Sequence, residues 1–202
     1  MLAAALLGLT PLAAAGGGQT RPSDFSFGWK FTKGDPAGAQ EVGFDASGWR
    51  DVDLPHDWSI AEPKDRRSPG GNRIGFFPTG IGWYRKDFTL PCEEAGKMVF
   101  VQFDGVYRDS EVWVNGKSVG RRPNGYATFQ YDLTPHVQFG GTNVLAVRVD
   151  NSAQPNSRWY SGSGIYRLVH LTVTDRLHIK HWGTTVTTPE VAADRARVRI
   201  AT

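Results

Sequence analysis

From residue 25 onward, apolar side chains return at every second position, and no stretch holds the spacing of about 3.6 residues that a helix needs. Val169, Leu171 and Val173 alternate with His170 and Thr172, and Val147 and Val149 flank Arg148. A period of two sends successive side chains to opposite faces of a strand, so one face can be buried while the other meets water. Met98-Val99-Phe100-Val101-Gln102-Phe103 is a denser apolar run of the buried-strand type, closed by Asp104-Gly105. Glu111-Val112-Trp113-Val114 and Lys117-Ser118-Val119 are separated by Asn115-Gly116, a pair suited to the positive φ angles of a two-residue hairpin turn. Residues 83–90 make an earlier strand stopped by Pro91, and residues 144–149 a later one closing at Asp150-Asn151. Many short strands joined by turn chemistry predict an all-β fold, an antiparallel β-sandwich.

A chain of 202 residues is long enough to bury a core without a metal or a disulfide. The single cysteine, Cys92, excludes an intramolecular disulfide framework and a cysteine-rich zinc site. The net charge is only +3 and no basic run exceeds a pair, such as Arg66-Arg67 or Arg121-Arg122, which argues against nucleic acid as a partner. Tryptophan is abundant, seven residues in all, and its ring is a good platform for a sugar face. Residues 1–15 are apolar, interrupted by Pro11, too short to span a bilayer, and pass through small residues into Gly16-Gly17-Gly18. Residues 1–20 therefore read as a signal-peptide-like segment, although no positive charge opens it. A secreted or periplasmic protein with no membrane association after signal removal is expected.

Two segments break the strand rhythm. Residues 55–82 and 151–164 are long, polar, and rich in Gly and Pro, yet they carry aromatics, which marks them as functional rather than disordered. Residues 24–174 are expected to form the sandwich. After Asp175, three strand-like stretches at 177–180, 184–188 and 196–200 read as the opening of a second β domain over residues 175–202.

Five segments occur together and in order: Leu54-Pro55-His56-Asp57-Trp58, Gly82-Trp83-Tyr84-Arg85-Lys86, Phe103-Asp104-Gly105-Val106, Val112-Trp113-Val114-Asn115-Gly116, and Arg158-Trp159-Tyr160-Ser161-Gly162-Ser163-Gly164-Ile165-Tyr166-Arg167. The set resembles the N-terminal sugar-binding domain of family 2 glycoside hydrolases, and its His-Asp-Trp and Arg-Trp-Tyr-Ser-Gly-Ser-Gly variants look most like the bacterial β-galactosidases of that family. His181-Trp182-Gly183-Thr184 with Thr187-Thr188-Pro189 is similar to the start of the immunoglobulin-like domain that follows there. The resemblance implies a jelly-roll, galactose-binding-like sandwich followed by the first strands of an immunoglobulin-like sandwich. It also implies a TIM barrel beyond it that carries two catalytic glutamates.

No Asn-Glu dipeptide, the family's mark of its general acid, occurs here. Retaining hydrolysis needs two carboxyls about 5–5.5 Å apart across the scissile bond, and the adjacent Glu93-Glu94 in a turn cannot supply them. No catalytic residue is therefore expected in this chain. The resemblance implies that the residue at Arg158 reaches from the sandwich toward the barrel's active site, where its fork of donors suits vicinal hydroxyls. Trp159 and Tyr160 could stack on a sugar, and one of them could instead pack inward to anchor the loop. His56 and Asp57 could donate to and accept from sugar hydroxyls, or Asp57 could cap loop amides with His56 at its edge. Trp113, Trp83 and Trp49 are expected to be packing residues, with Trp113 in the core, and Trp58 to wedge the start of the long loop. Gly70-Gly71-Asn72-Arg73 lacks the sequel of a phosphate loop, and Gly162-Ser163-Gly164 lacks the spacing of a nucleophile elbow. His178 and His181 would face opposite ways on a strand, so neither a metal nor a cofactor is expected.

Three readings stay open on the residues alone. The chain is the non-catalytic N-terminal part of a β-galactosidase-like hydrolase whose partners are a β-galactoside-like carbohydrate and the enzyme's remaining domains; or it is a stand-alone carbohydrate-binding module; or it is a ligand-free structural sandwich.

Overall fold

The structure, a computed structural model, describes residues 23–157 and 161–202. The apolar N-terminal segment and three of the candidate sugar contacts, Arg158, Trp159 and Tyr160, lie outside the described residues. The strands are β1 (Ser23–Asp24), β2 (Trp29–Lys33), β3 (Arg50–Val52), β4 (Gly80–Thr89), β5 (Met98–Phe103) and β6 (Ser110–Val114). They continue with β7 (Lys117–Arg122), β8 (Phe129–Asp132), β9 (Thr142–Asn151), β10 (Val169–Thr174), β11 (Thr185–Val191) and β12 (Ala196–Ala201). One helical turn, α1 (Trp58–Ala61), and short 3-10 turns at Gly71–Ile74 and Cys92–Glu94 lie between them.

All pairings are antiparallel, in a four-stranded sheet of order β1-β10-β5-β8 and a six-stranded sheet of order β3-β2-β4-β9-β6-β7. The two inner faces make the core. Trp29, Phe31, Tyr84, Phe88, Val112, Val114, Leu145, Val147 and Val149 come from the six-stranded sheet, and Val99, Val101, Phe103, Phe129, Val169 and Leu171 from the four-stranded one. Each such side chain contributes about 1.5–3 kcal/mol by leaving water, so this layer dominates the stability of the sandwich. At the β6–β7 hairpin, Asn115 and Gly116 have φ of 49° and 75°, the left-handed geometry that an Asn-Gly turn favours.

The outer face of the six-stranded sheet is covered as well, by residues 34–49. Trp83 and Ala146 project outward and are buried beneath Ala39, with Phe44 and Trp49 packed alongside. Arg85, only 4% exposed, pins this cover by donating from Nη1 to the carbonyl oxygens of Ala39 (2.6 Å) and Glu41 (2.9 Å). Trp113 does not enter the core as expected. Val112 and Val114 point inward, so the residue between them must point out, and Trp113 lies half-buried on the outer face, stacked on Trp83 at 5.2 Å.

The last 27 residues differ from expectation in one respect. Leu177 to Lys180 form no strand; His178 Nδ1 instead donates to the carbonyl oxygen of Asp175 (2.8 Å), which favours a turn over an extended segment. β11 and β12 pair with each other as a separate hairpin, and every residue of both is exposed, Val186, Val191, Val198 and Ile200 included. Among the described residues, no helix is long and apolar enough to cross a membrane.

Candidate functional site

β4 and β9 are paired along their whole length, from Gly80 opposite Asn151 to Thr89 opposite Thr142. The long segment that enters β4 and the one that leaves β9 therefore start from the same end of the same strand pair. Adjacency in the sheet brings together two loops that are far apart in sequence. Glu93 and Glu94 follow the opposite end of β4, about 30 Å away along the strand, in an exposed turn.

Where the loops meet, residues 56–58 lie against residues 163–165. The His56 amide donates to Ile165 O (2.8 Å) and the Trp58 amide to Ser163 O (3.1 Å). Asp57 is the N-cap of α1; its Oδ1 accepts from the amide of Ser59 (2.8 Å) and, across the chain, from that of Ser163 (2.9 Å). The capping alternative weighed for Asp57 is thus the one its Oδ1 adopts. Trp58 is fully buried and stacks on Phe31, so it wedges the loop into the core.

His56 is held at both ring nitrogens. Arg50 Nη2 lies 2.8 Å from Nε2 and the Tyr84 hydroxyl 2.8 Å from Nδ1. A guanidinium can only donate, so Nε2 is the acceptor and Nδ1 carries the proton that it gives to Tyr84 Oη. Burial, reinforced by the Arg50 charge, lowers the imidazole pKa to about 4, so the ring is neutral near neutrality. Tyr84 is wholly buried, which pushes its hydroxyl well above the ordinary phenol value and keeps it protonated. In this arrangement neither ring nitrogen of His56 is left over for a sugar hydroxyl.

The glycines flanking Ser163 allow this close approach. Gly164 has φ of 120°, and a Cβ there would strike Tyr84 Oη and the His56 carbonyl oxygen. A Cβ on Gly162 would collide with the Asp57 carboxylate.

Beside this junction is a polar cleft of about 240 Å³ lined by Lys33, Asp65, Arg67, Ser68, Thr79 and Ser152. Its cations are already paired: Lys33 with Glu62 at 2.5 Å, and Arg67 with Asp65 through two side-chain bonds of 3.1 and 3.0 Å. A second cleft, of about 430 Å³, lies near the other end of β4 between Phe44 and Lys86. There Lys30 is taken by Asp51, Arg85 by backbone carbonyls and Lys86 by Phe27 O, so few donors remain for a ligand. No group of three metal-capable side chains occurs among the described residues.

Sequence reasoning picked out His56 and Asp57 but missed the groups that hold them: Arg50 and Tyr84 at His56, and Ser59 and Ser163 at Asp57. Only Ser163 carried a local signal, the two glycines around it.

A jelly-roll-like sandwich that presents paired loops at one end is a binding scaffold, and known proteins place it. Residues 73–175 match the family model described as glycosyl hydrolases family 2, sugar binding domain. The β-galactosidase BoGH2A of Bacteroides ovatus is 51% identical over 180 residues, covering 89% of this chain and 21% of that protein. A putative β-glucuronidase of Formosa agariphila is 36% identical over 178 residues, covering 88% of this chain and 17% of that protein. The crystal structure of a glycosyl hydrolase family 2 member from Bacteroides cellulosilyticus aligns with a TM-score of 0.83 at 41% identity, over 89% of this chain and 24% of that one. The chain belongs to glycosyl hydrolase family 2, in the part that forms its sugar-binding domain. It spans about a fifth of the length of the curated relatives it matches.

Proposed function

We propose that this chain is the non-catalytic sugar-binding sandwich of an exported β-galactosidase-like hydrolase, which supports a catalytic domain and lends it loops for the substrate pocket. The observation that carries this reading is the meeting of the two long loops at one end of β4 and β9, with the carboxylates Glu93 and Glu94 at the other end. A sandwich built this way offers a sugar a wall, and the carboxylates at the loop end are already engaged, Asp57 with backbone amides, Glu62 with Lys33 and Asp65 with Arg67, rather than set as an acid and nucleophile pair. The name of the relative from Bacteroides ovatus favours a galactoside as substrate, and the apolar residues 1–15 favour a secreted or periplasmic location. The exposed apolar residues of β11 and β12 suit a hairpin that another part of a longer protein covers.

Arg158, Trp159 and Tyr160 are the proposed sugar contacts: the guanidinium as a fork for vicinal hydroxyls, and one of the rings as a stacking surface. His56 and Asp57 act indirectly, by holding residues 56–58 against residues 163–165. The test is to assay the 202-residue chain and the enzyme encoded by the full reading frame on chromogenic β-galactosides and β-glucuronides. The chain alone is expected to be inactive and the full enzyme to cleave galactosides, with Arg158→Ala lowering its kcat/KM by about ten- to a hundredfold. Turnover by the chain alone, lost on mutating one of its own carboxylates, would overturn the proposal.

A further inference from the structure

Inside the loop junction runs a chain of buried polar side chains. Ser59 Oγ is 2.7 Å from the Pro78 carbonyl oxygen and 2.6 Å from Ser163 Oγ, and Ser163 Oγ is 2.7 Å from Asn151 Nδ2. A carbonyl can only accept, so the Ser59 proton goes to Pro78 O. Ser163 then donates to Ser59, and the amide of Asn151 donates to Ser163. With its Nδ2 so oriented, Asn151 accepts at Oδ1 from Gln154 Nε2 (3.0 Å) and Asn156 Nδ2 (2.5 Å). Asn156 Oδ1 in turn accepts from the Tyr107 hydroxyl at 3.0 Å. Ser59, Asn151 and Ser163 are essentially without exposure.

Every bond in this series has one direction, and apart from Tyr107, which lies between β5 and β6, its members come from the two loops. Ser59 and Pro78 bracket the loop that enters β4, while Asn151 and Ser163 bracket the one that leaves β9. Asp57 adds a second tie through the Ser163 amide. Buried networks of this kind hold one geometry, because breaking any link strands a desolvated partner.

We propose that Ser163 is the hub of a positioning network, with Asp57, Ser59 and Asn151 as its spokes, that sets the two loops relative to each other and so places the walls of the substrate pocket. The proposal rests on the function proposed above and gives Asp57 a positioning role instead of a sugar contact. The network also fixes both sides of the polar cleft, since Pro78, Thr79 and Ser152 line it and adjoin the spokes.

Two measurements test it. In the 202-residue chain, hydrogen exchange should show that Ser163→Ala speeds the amides of residues 56–59 and 151–156 together, while Asn143→Ala, at the other end of β9 and equally buried, leaves them unchanged. Acceleration confined to the residues next to position 163 would overturn the hub. In the full enzyme, assayed at a temperature where each variant is folded, Ser163→Ala should lower kcat/KM by at least about tenfold. Asn143→Ala should cost stability without changing the kinetics. Equal kinetic losses in both variants would mean a merely structural role.

If Ser163→Ala does not fold, Asp57 decides. Asp57→Asn keeps the Oδ1 acceptor and should restore most of what Asp57→Ala loses. An Asn variant as impaired as the Ala variant would make the carboxylate charge a substrate contact and overturn the positioning role. A full-length wild-type enzyme without glycosidase activity would refute the proposed function itself, and hydrogen exchange would still decide whether the hub ties the loops.

Discussion

Acidifying this protein from about pH 7 to about pH 5 should weaken the fold mainly through one imidazole. The folded state holds the pKa of His56 at about 4 against an ordinary 6.5, because burial disfavours the cation and the Arg50 guanidinium repels it. Between those values the unfolded chain binds a proton that the folded chain refuses. The stabilisation is therefore full above the unfolded value, falls as pH drops through the window, and levels off near the folded value. Each pH unit in the window is worth at most about 1.4 kcal/mol, nominally about 3 kcal/mol across all of it. The ring is only partly buried, and solvent screening reduces this to about 1–2 kcal/mol, of which about 1 kcal/mol is lost by pH 5. Carboxylates do not confuse the measurement. Asp35, bonded to Arg148, Asp65, bonded to Arg67, and Asp109, bonded to Arg121, all have pKa values below the ordinary 3.8, so their contributions fade only at lower pH. The assay is urea unfolding of the wild type and of His56→Gln at matched pH values. The wild type should lose about 1 kcal/mol, or about 2–4 °C in Tm, while the variant's stability stays flat. Parallel pH profiles for the two proteins would show that His56 is not held neutral, and the tautomer assigned from Arg50 would fall with it.

Two stability predictions follow from the packing. Gly164→Ala should cost about 3 kcal/mol or more, because the φ of 120° is strained for alanine and its methyl would meet Tyr84 Oη; an urea midpoint within error of the wild type would contradict this. Arg85→Met should cost about 2–4 kcal/mol, since it strands the carbonyl oxygens of Ala39 and Glu41 in the covered outer face, and limited proteolysis should then cut first within residues 34–49; unchanged stability would mean water satisfies those carbonyls.

Much of the sandwich was legible in the residues. A dense apolar run located β5, alternation located β9 and β10, and Asn115-Gly116 fixed the hairpin between β6 and β7, because these signals are carried by neighbours along the chain. Short strands were not legible: β3 is only three residues long, and the alternation of Trp29 and Phe31 with Lys30 and Thr32 in β2 covers only five residues. At the candidate site, residue types alone left Asp57 between sugar contact and cap. The capping bond that the structure shows includes the Ser163 amide, 106 residues away along the chain.

Strand period, turn chemistry and ordered motifs are local properties, and they are enough to mark this chain as a β-sandwich of the family 2 type. Which face Trp113 takes, which nitrogen of His56 holds the proton, and that Ser163 joins two loops all depend on segments far apart along the chain meeting in space. Parity divides a strand into two faces without saying which is inner; that depends on where the opposing sheet and the cover of residues 34–49 lie. A hydrogen bond between Ser59 and Ser163 exists only because β4 and β9 are neighbours, a contact that distance along the chain conceals.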